Sequence, residues 1–202
     1  TWADGYLQNG SKKFELFKDF FAYGDYTQKA EMEFIFAGYG IVTEGYSDYE
    51  NLDVKGKIVV VMTDEPKDKE GKYVFTKADE KSDWVERAGL QKKINIALSH
   101  GAKMFFVISA TDAQKFSSLA AERKAVLSRF NQLSFNASSS AEKATSNPTF
   151  FVSQEMAAEM LDVKSNRLSK IVEEISDKKE SLASKLKPST VSIKAERGEV
   201  PV

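Results

Sequence analysis

The sequence predicts a mixed α/β domain, and three observations carry that expectation. Ile58-Val59-Val60-Val61-Met62 is apolar at every position rather than at every second one, the pattern of a strand covered on both faces in a sheet interior. A second strand follows at Met104-Phe105-Phe106-Val107-Ile108. Between them Leu90, Ile94, Ala97 and Leu98 fall at i, i+4, i+7 and i+8, one face of a helix. Strand, helix, strand is a crossover unit, right-handed almost without exception.

Residues 1–29 form a lead-in rich in Gly, Tyr and Phe, with Lys13-Phe14-Glu15-Leu16-Phe17 as a short strand. Packing on the sheet edge would cover Phe20, Phe21 and Tyr23. Glu33-Phe34-Ile35-Phe36-Ala37 is β-rich and is stopped by Gly38-Tyr39-Gly40. The linker that follows carries Glu44, Tyr46, Asp48, Tyr49 and Glu50. It reads first as a solvated turn, but its chemistry also suits a cation or a peptide amine, so these five are the candidate contact residues. Asp53 to Lys57 is a tight polar turn built on Gly56. Residues 66–78 form a charged, hairpin-like loop.

Asp83-Trp84-Val85-Glu86 has the form of a helix start with an aspartate cap, and Gly89 is expected to interrupt that helix. Gly101 is a natural helix stop. Thr111 to Gln114 offers a second capping box, and Phe116, Leu119, Ala120, Leu127 and Phe130 make another apolar face. Asn136 to Ser146 is Ser/Ala-rich without periodicity and reads as an exposed loop. After Pro148 come a strand, Thr149 to Val152, and a helix capped by Ser153 and running through Leu161. Leu168, Ile171, Val172, Ile175, Leu182 and Leu186 continue at helical spacing, as a helix laid on the sheet. Pro188 ends it, and Thr190 to Glu196 alternates as a strand with one wet face.

Composition excludes several functions. The chain has 202 residues and a net charge of −1 from 29 basic and 30 acidic side chains, which gives no electrostatic case for nucleic acid. No apolar stretch approaches the ~20 residues of a membrane span. Cysteine is absent, so there is no disulfide framework, thiolate zinc site or thiol nucleophile. His100 is the only histidine, and its place at a helix end before a buried strand suits a capping or packed role better than a catalytic triad. Gly38-Tyr39-Gly40 is not a dinucleotide loop, because Thr43 stands where the third glycine is needed. Asn9-Gly10-Ser11 and Asn136-Ala137-Ser138 fit a glycosylation sequon, for which chance is the default reading.

F-x-G-Y-G-I at residues 36–41, the tyrosine-rich acidic linker, L-D-V-K-G-K-I-V-V-V at 52–61 and Glu65-Pro66 together resemble the protease-associated (PA) domain. The version they resemble is the one inserted in di-zinc aminopeptidases, relatives of glutamate carboxypeptidase and the transferrin receptor. The likeness continues through Ser99-His100-Gly101-Ala102, the strand at 104–108, and Asn147-Pro148 with the strand and helix after it. Gly38, Tyr39, Gly40, Gly56, Lys57, Gly101 and Pro148 are its structural signature. The resemblance implies one domain over 1–202, cut from a longer chain. Its core would be 30–163 with an elaboration at 112–146, and 164–202 would add a helix and closing strand. It implies a small sheet with parallel strands, a second β layer curling towards a barrel, and helices flanking one side.

The function implied is non-catalytic. The domain would lie over the cleft of a zinc peptidase, contacting the peptidase domain of the same polypeptide and the peptide substrate. The expected location is outside the cell or in its envelope. No cofactor is expected in this chain, since two zinc ions would sit in the parent's catalytic domain. The competing readings are a free-standing binding or adaptor module, the PA domain of a subtilisin-like protease, or an enzyme working with a carboxylate pair alone.

Overall fold

The structure is a computed structural model and describes residues 6–23, 29–77, 80–109, 113–133, 149–178, 181 and 185–194. Its ten strands, in chain order, are β1 (Tyr6–Asn9), β2 (Lys12–Glu15), β3 (Phe20–Tyr23), β4 (Lys29–Phe36), β5 (Val42–Thr43), β6 (Tyr46–Ser47), β7 (Ile58–Met62), β8 (Met104–Ile108), β9 (Thr149–Val152) and β10 (Ser189–Lys194). The helices are α1 (Glu86–Ser99), α2 (Ala113–Leu133), α3 (Gln154–Met160) and α4 (Ser165–Lys178).

Six strands form one sheet in the order β10-β4-β7-β8-β9-β3. The four in the middle are parallel, with Phe34 opposite Ile58, Ile58 opposite Met104 and Phe105 opposite Thr149. β10 and β3 run antiparallel at the two edges. All five residues of β7 and all five of β8 are buried, as expected for a sheet interior flanked on both faces. The mixed α/β class expected from the sequence is what the chain adopts.

The two faces carry different layers. Ile35, Val59, Val61, Phe105 and Val107 point towards α1, where Ala97 is fully buried with Leu90 and Ile94 packed beside it. Phe151 joins this face to α2 through Phe21, Phe116 and Ala120. Phe34, Phe36, Ile58, Val60, Phe106 and Phe150 point the other way, onto α3, α4 and the β1–β2 hairpin. Both crossovers step the same way across the sheet, from β7 to β8 to β9, and the right-handed rule then puts α1 and α2 on the same face. Helices therefore cover both faces, not one. The described strands outside the main sheet make two two-stranded hairpins, β1–β2 and β5–β6.

Several local expectations need correction. α1 begins two residues later than its aspartate suggests: Val85 is the N-cap, without a side-chain hydrogen bond. The Ser82 hydroxyl accepts from Trp84 N at 3.1 Å and donates to Glu65, while Asp83 faces solvent and Lys92. Gly89 does not interrupt the helix. A Cβ there would lie 2.1 Å from the Trp84 carbonyl carbon, so the glycine lets the buried Trp84 backbone pass close against α1. Leu119 is exposed, while Phe116 and Ala120 are buried. The helix expected to reach Leu186 is described over Ser165–Lys178, Ser181 is not helical, and Leu186 is buried beyond it. Tyr23 keeps 45% of its surface exposed even though Phe20 and Phe21 are covered.

Other expectations hold at the level of single atoms. The Ser153 hydroxyl accepts from Met156 N at 3.1 Å to cap α3. Gly101 takes φ +86 after α1, with Ala102 N donating to Ala97 O. The Thr111 capping box, Pro148, Leu182, the second sequon and the Asn136–Ser146 loop lie outside the described residues, as do the side chains of Leu127 and Phe130.

Candidate functional site

At the carboxyl ends of β4 and β7 the chain buries three ionisable side chains, Asp48, Glu65 and Lys93, with 0%, 3% and 0% exposure. Uncompensated buried charge costs several kcal/mol, so the partners decide what each group does. Asp48 accepts from Tyr39 N (3.1 Å), Ile41 N (2.9 Å) and the Tyr46 hydroxyl (2.7 Å). Its carboxylate thus replaces a strand partner for the turn after β4. Burial outweighs those hydrogen bonds and pushes its pKa up to about 6.

This explains the glycines of the turn. Gly38 has φ +54, and a Cβ on it would stand 2.3 Å from Asp48 Oδ1. Gly40 has φ +67, and a Cβ there would meet Val61 at 2.9 Å. Between them Tyr39 is buried. Its hydroxyl hydrogen-bonds Ser176 of α4, and burial pushes its pKa up to about 12.

Lys93 comes from α1 and crosses to the end of β7. Its ammonium donates to Met62 O at 3.0 Å and to Asp64 O. Burial pulls its pKa down to about 7, against the pull of Asp64, Asp48 and Glu65. Glu65 accepts from Phe75 N at 2.5 Å, Thr76 Oγ1 at 2.6 Å and Ser82 Oγ at 2.5 Å, which ties the charged 66–82 loop onto the sheet. Sequence reasoning passed over Lys93 and gave Glu65 no role of its own. The available signal for Lys93 was its position four residues before Ala97, within the apolar face of α1.

The five residues proposed as a contact loop divide. Glu44 and Glu50 are exposed, Tyr46 is half-buried against Phe75, and Asp48 and Tyr49 are inside. The linker is a folded plug rather than a solvated turn, because Asp48 supplies acceptors that the glycine turn lacks. Tyr49 stacks on His100 at 4.6 Å between ring centres, while its buried hydroxyl finds no hydrogen-bond partner among the described residues. His100 is exposed at the end of α1. Gly56, Lys57 and Gly101 lie at the opposite, amino ends of the strands. There Gly56 N donates to Gly101 O at 2.8 Å, and Lys57 pairs with Glu33 (2.7 Å) and Asp53 (3.1 Å).

Above the buried ionisable groups is a cleft of about 680 Å³, a size typical of small-molecule sites. Tyr39 follows β4, Met62 to Glu65 end and follow β7, Ser109 follows β8, and Glu173, Ser176 and Asp177 of α4 close one side. Open α/β sheets place ligands at this end, outside the carboxyl ends of parallel strands. Among the described residues no group of three His, Cys, Asp or Glu side chains is placed to hold a metal ion. No described helix is long and apolar enough to cross a membrane.

This arrangement defines an open α/β domain with a polar cleft at the carboxyl ends of its central strands. No protein-family model matches the chain, and a comparison with curated proteins gave no match.

Proposed function

We propose that the chain is a non-catalytic module of the protease-associated type within a larger, exported zinc peptidase. There it would restrict access to the peptidase cleft and contact the peptide. The observation that carries this reading is the commitment of the buried ionisable groups. Asp48 and Glu65 bind backbone N–H and hydroxyl groups, and Lys93 binds backbone carbonyls. Groups spent in this way hold the chain in place rather than transfer protons. The motifs behind the resemblance support the reading too, since they fall on the central strands β4, β7 and β8 and on the turn that Asp48 fixes. The chemistry would belong to two zinc ions held by the parent's catalytic domain.

Purified 202-residue chain assayed against aminoacyl chromogenic substrates, with metal analysis, tests this directly. The expected result is no turnover and no stoichiometric zinc, whereas zinc-dependent turnover by the pure chain would overturn it. A second reading, a free-standing binding module, is favoured by the cleft itself, which needs no neighbouring domain to form.

A further inference from the structure

The β5–β6 hairpin is hydrogen-bonded to the body of the domain chiefly through one titratable residue. It is a two-stranded sheet of its own, and Thr43, Glu44 and Gly45 at its tip are exposed. Among the described residues, no hydrogen bond of residues 42–48 reaches beyond residues 39–50. Asp48 makes most of that attachment: its carboxylate holds Tyr39 N and Ile41 N, and its own N–H donates to Ile41 O at 2.9 Å. Left-handed residues bound the segment, Gly38 (φ +54) and Gly40 (φ +67) before it and Asn51 (φ +61) after it. The two glycines are the points at which the chain turns most freely.

The groups that face Asp48 leave it without an ion pair among the described residues. Tyr39, Tyr46 and Tyr49 lie around it, and burial raises the pKa of all three, so they stay neutral. From α1 Lys93 attracts it, but the Lys93 ammonium donates to the Met62 and Asp64 carbonyls and also feels Asp64 and Glu65 at the end of β7. The Asp48 anion is thus held by dipoles alone at 0% exposure, a setting that favours the neutral acid. Tyr46 carries the effect outward. Its hydroxyl donates to Asp48, and its ring packs on Phe75 at 4.2 Å between centres. Phe75 belongs to the 66–82 loop, whose Lys67, Asp68 and Lys69 line the cleft.

We propose that Asp48 is a proton-operated latch on the β5–β6 hairpin. With the proton bound, the hairpin is closed and braces the 66–82 loop. When the proton leaves, the hairpin opens more often about Gly38 and Gly40 and slackens that wall of the cleft. In the closed hairpin Asp48 has a pKa of about 6, against an ordinary 3.8 once the hairpin opens to water. Closure is therefore strongest below pH 3.8 and weakens as pH rises through 6. The latch is tightened by acid, and it works whether or not the chain belongs to a peptidase.

Amide hydrogen exchange of the 202-residue chain at pH 4.5 and 6.5, corrected for the intrinsic rate at each pH, tests the latch. Lys93, with a pKa of about 7, keeps its proton over most of this range. Amides of residues 39–48 should open about tenfold more often at pH 6.5, and at both pH values more often than those of β7. Asp48→Asn mimics the neutral acid, accepting from Tyr39 N and Ile41 N and donating to the Tyr46 oxygen. It should protect the hairpin equally at both pH values. Tyr46→Phe removes one donor to the anion and should widen the contrast, whereas Glu44→Gln at the exposed tip should leave it unchanged. Equal protection of the parent at the two pH values, or the same contrast in Asp48→Asn, overturns the proposal. Exchange of residues 39–48 only in step with β7 overturns it too, because the hairpin then does not open by itself. Should Asp48→Asn not fold, a contrast that Tyr46→Phe fails to widen is the contrary result. Each of these outcomes leaves the non-catalytic reading standing.

Discussion

The two ends of the parallel strands are built on opposite principles. At the amino ends of β7 and β8 the chain closes with backbone alone: Gly56 N reaches Gly101 O, and Lys103 N reaches Lys57 O at 2.9 Å. The charges there are at the surface, where Lys57 pairs with Glu33 and Asp53 and is held above the usual lysine range, first by its hydrogen bond to Glu33. At the carboxyl ends the chain buries Asp48, Glu65 and Lys93 and leaves a cleft above them. The difference teaches where the sheet is merely closed and where it is held open. Buried charges that bind backbone groups fix the loops around the cleft in one arrangement, at a desolvation cost the amino ends avoid.

The largest expected difference between the ends comes from their lysines. Lys93→Met leaves the Met62 and Asp64 carbonyls and the Asp48 carboxylate without a cation, and should destabilise the fold by about 3 kcal/mol. Lys57→Met removes an exposed pair and should cost no more than about 1 kcal/mol. Urea unfolding of both variants measures the contrast, and equal losses would erase it.

The glycines should separate next. Gly38→Ala must both hold φ +54 and displace the Asp48 carboxylate, for an expected cost of about 2–4 kcal/mol. Gly56→Ala holds φ +72 with nothing within 4 Å of the new Cβ, and should cost about 1 kcal/mol. If the two midpoints shift alike, Asp48 is not the organiser of the turn.

Tyr49→Phe is the smallest and has the opposite sign. The hydroxyl it removes is buried and has no hydrogen-bond partner among the described residues, while the ring stack on His100 is kept. The variant should match the parent or exceed it by about 1 kcal/mol in the same urea assay. A clear loss of stability would mean that the hydroxyl has a partner.

The contrast between the ends also explains what the sequence revealed. The sheet was legible because an unbroken apolar run such as Ile58 to Met62 has few alternatives to an interior strand. Gly101 and Ser153 were legible because helix ends have strong local chemistry. The carboxyl-end cluster was not. Lys93 meets Met62 O from 31 residues away, and Glu65 meets Ser82 across 17, so no local pattern names either partner, and the place of Lys93 on the apolar face of α1 signals only that it is buried. A lone charge in a sequence reads as solvated until its partner is known, and for Asp48 that reading made a buried plug look like a wet turn. The cleft itself depends on α4 meeting the ends of β7 and β8, a tertiary fact with no motif behind it.

The central claim is that ionisable groups taken out of water organise the carboxyl ends, and the pH dependence of stability tests it most directly. Asp48 has a folded pKa of about 6, above its ordinary 3.8, so its contribution is fully present below 3.8 and is lost as pH rises through 6. Lys93 has a folded pKa of about 7, below its ordinary 10.5. Its contribution is therefore present above 10.5 and is lost as pH falls through 7. The contribution of these two groups to stability is therefore least between about pH 6 and 7. The decisive comparison is the urea midpoint of the parent chain against Lys93→Met from pH 7.5 to 10. The parent should gain steadily on the variant across that range; parallel profiles would contradict the account.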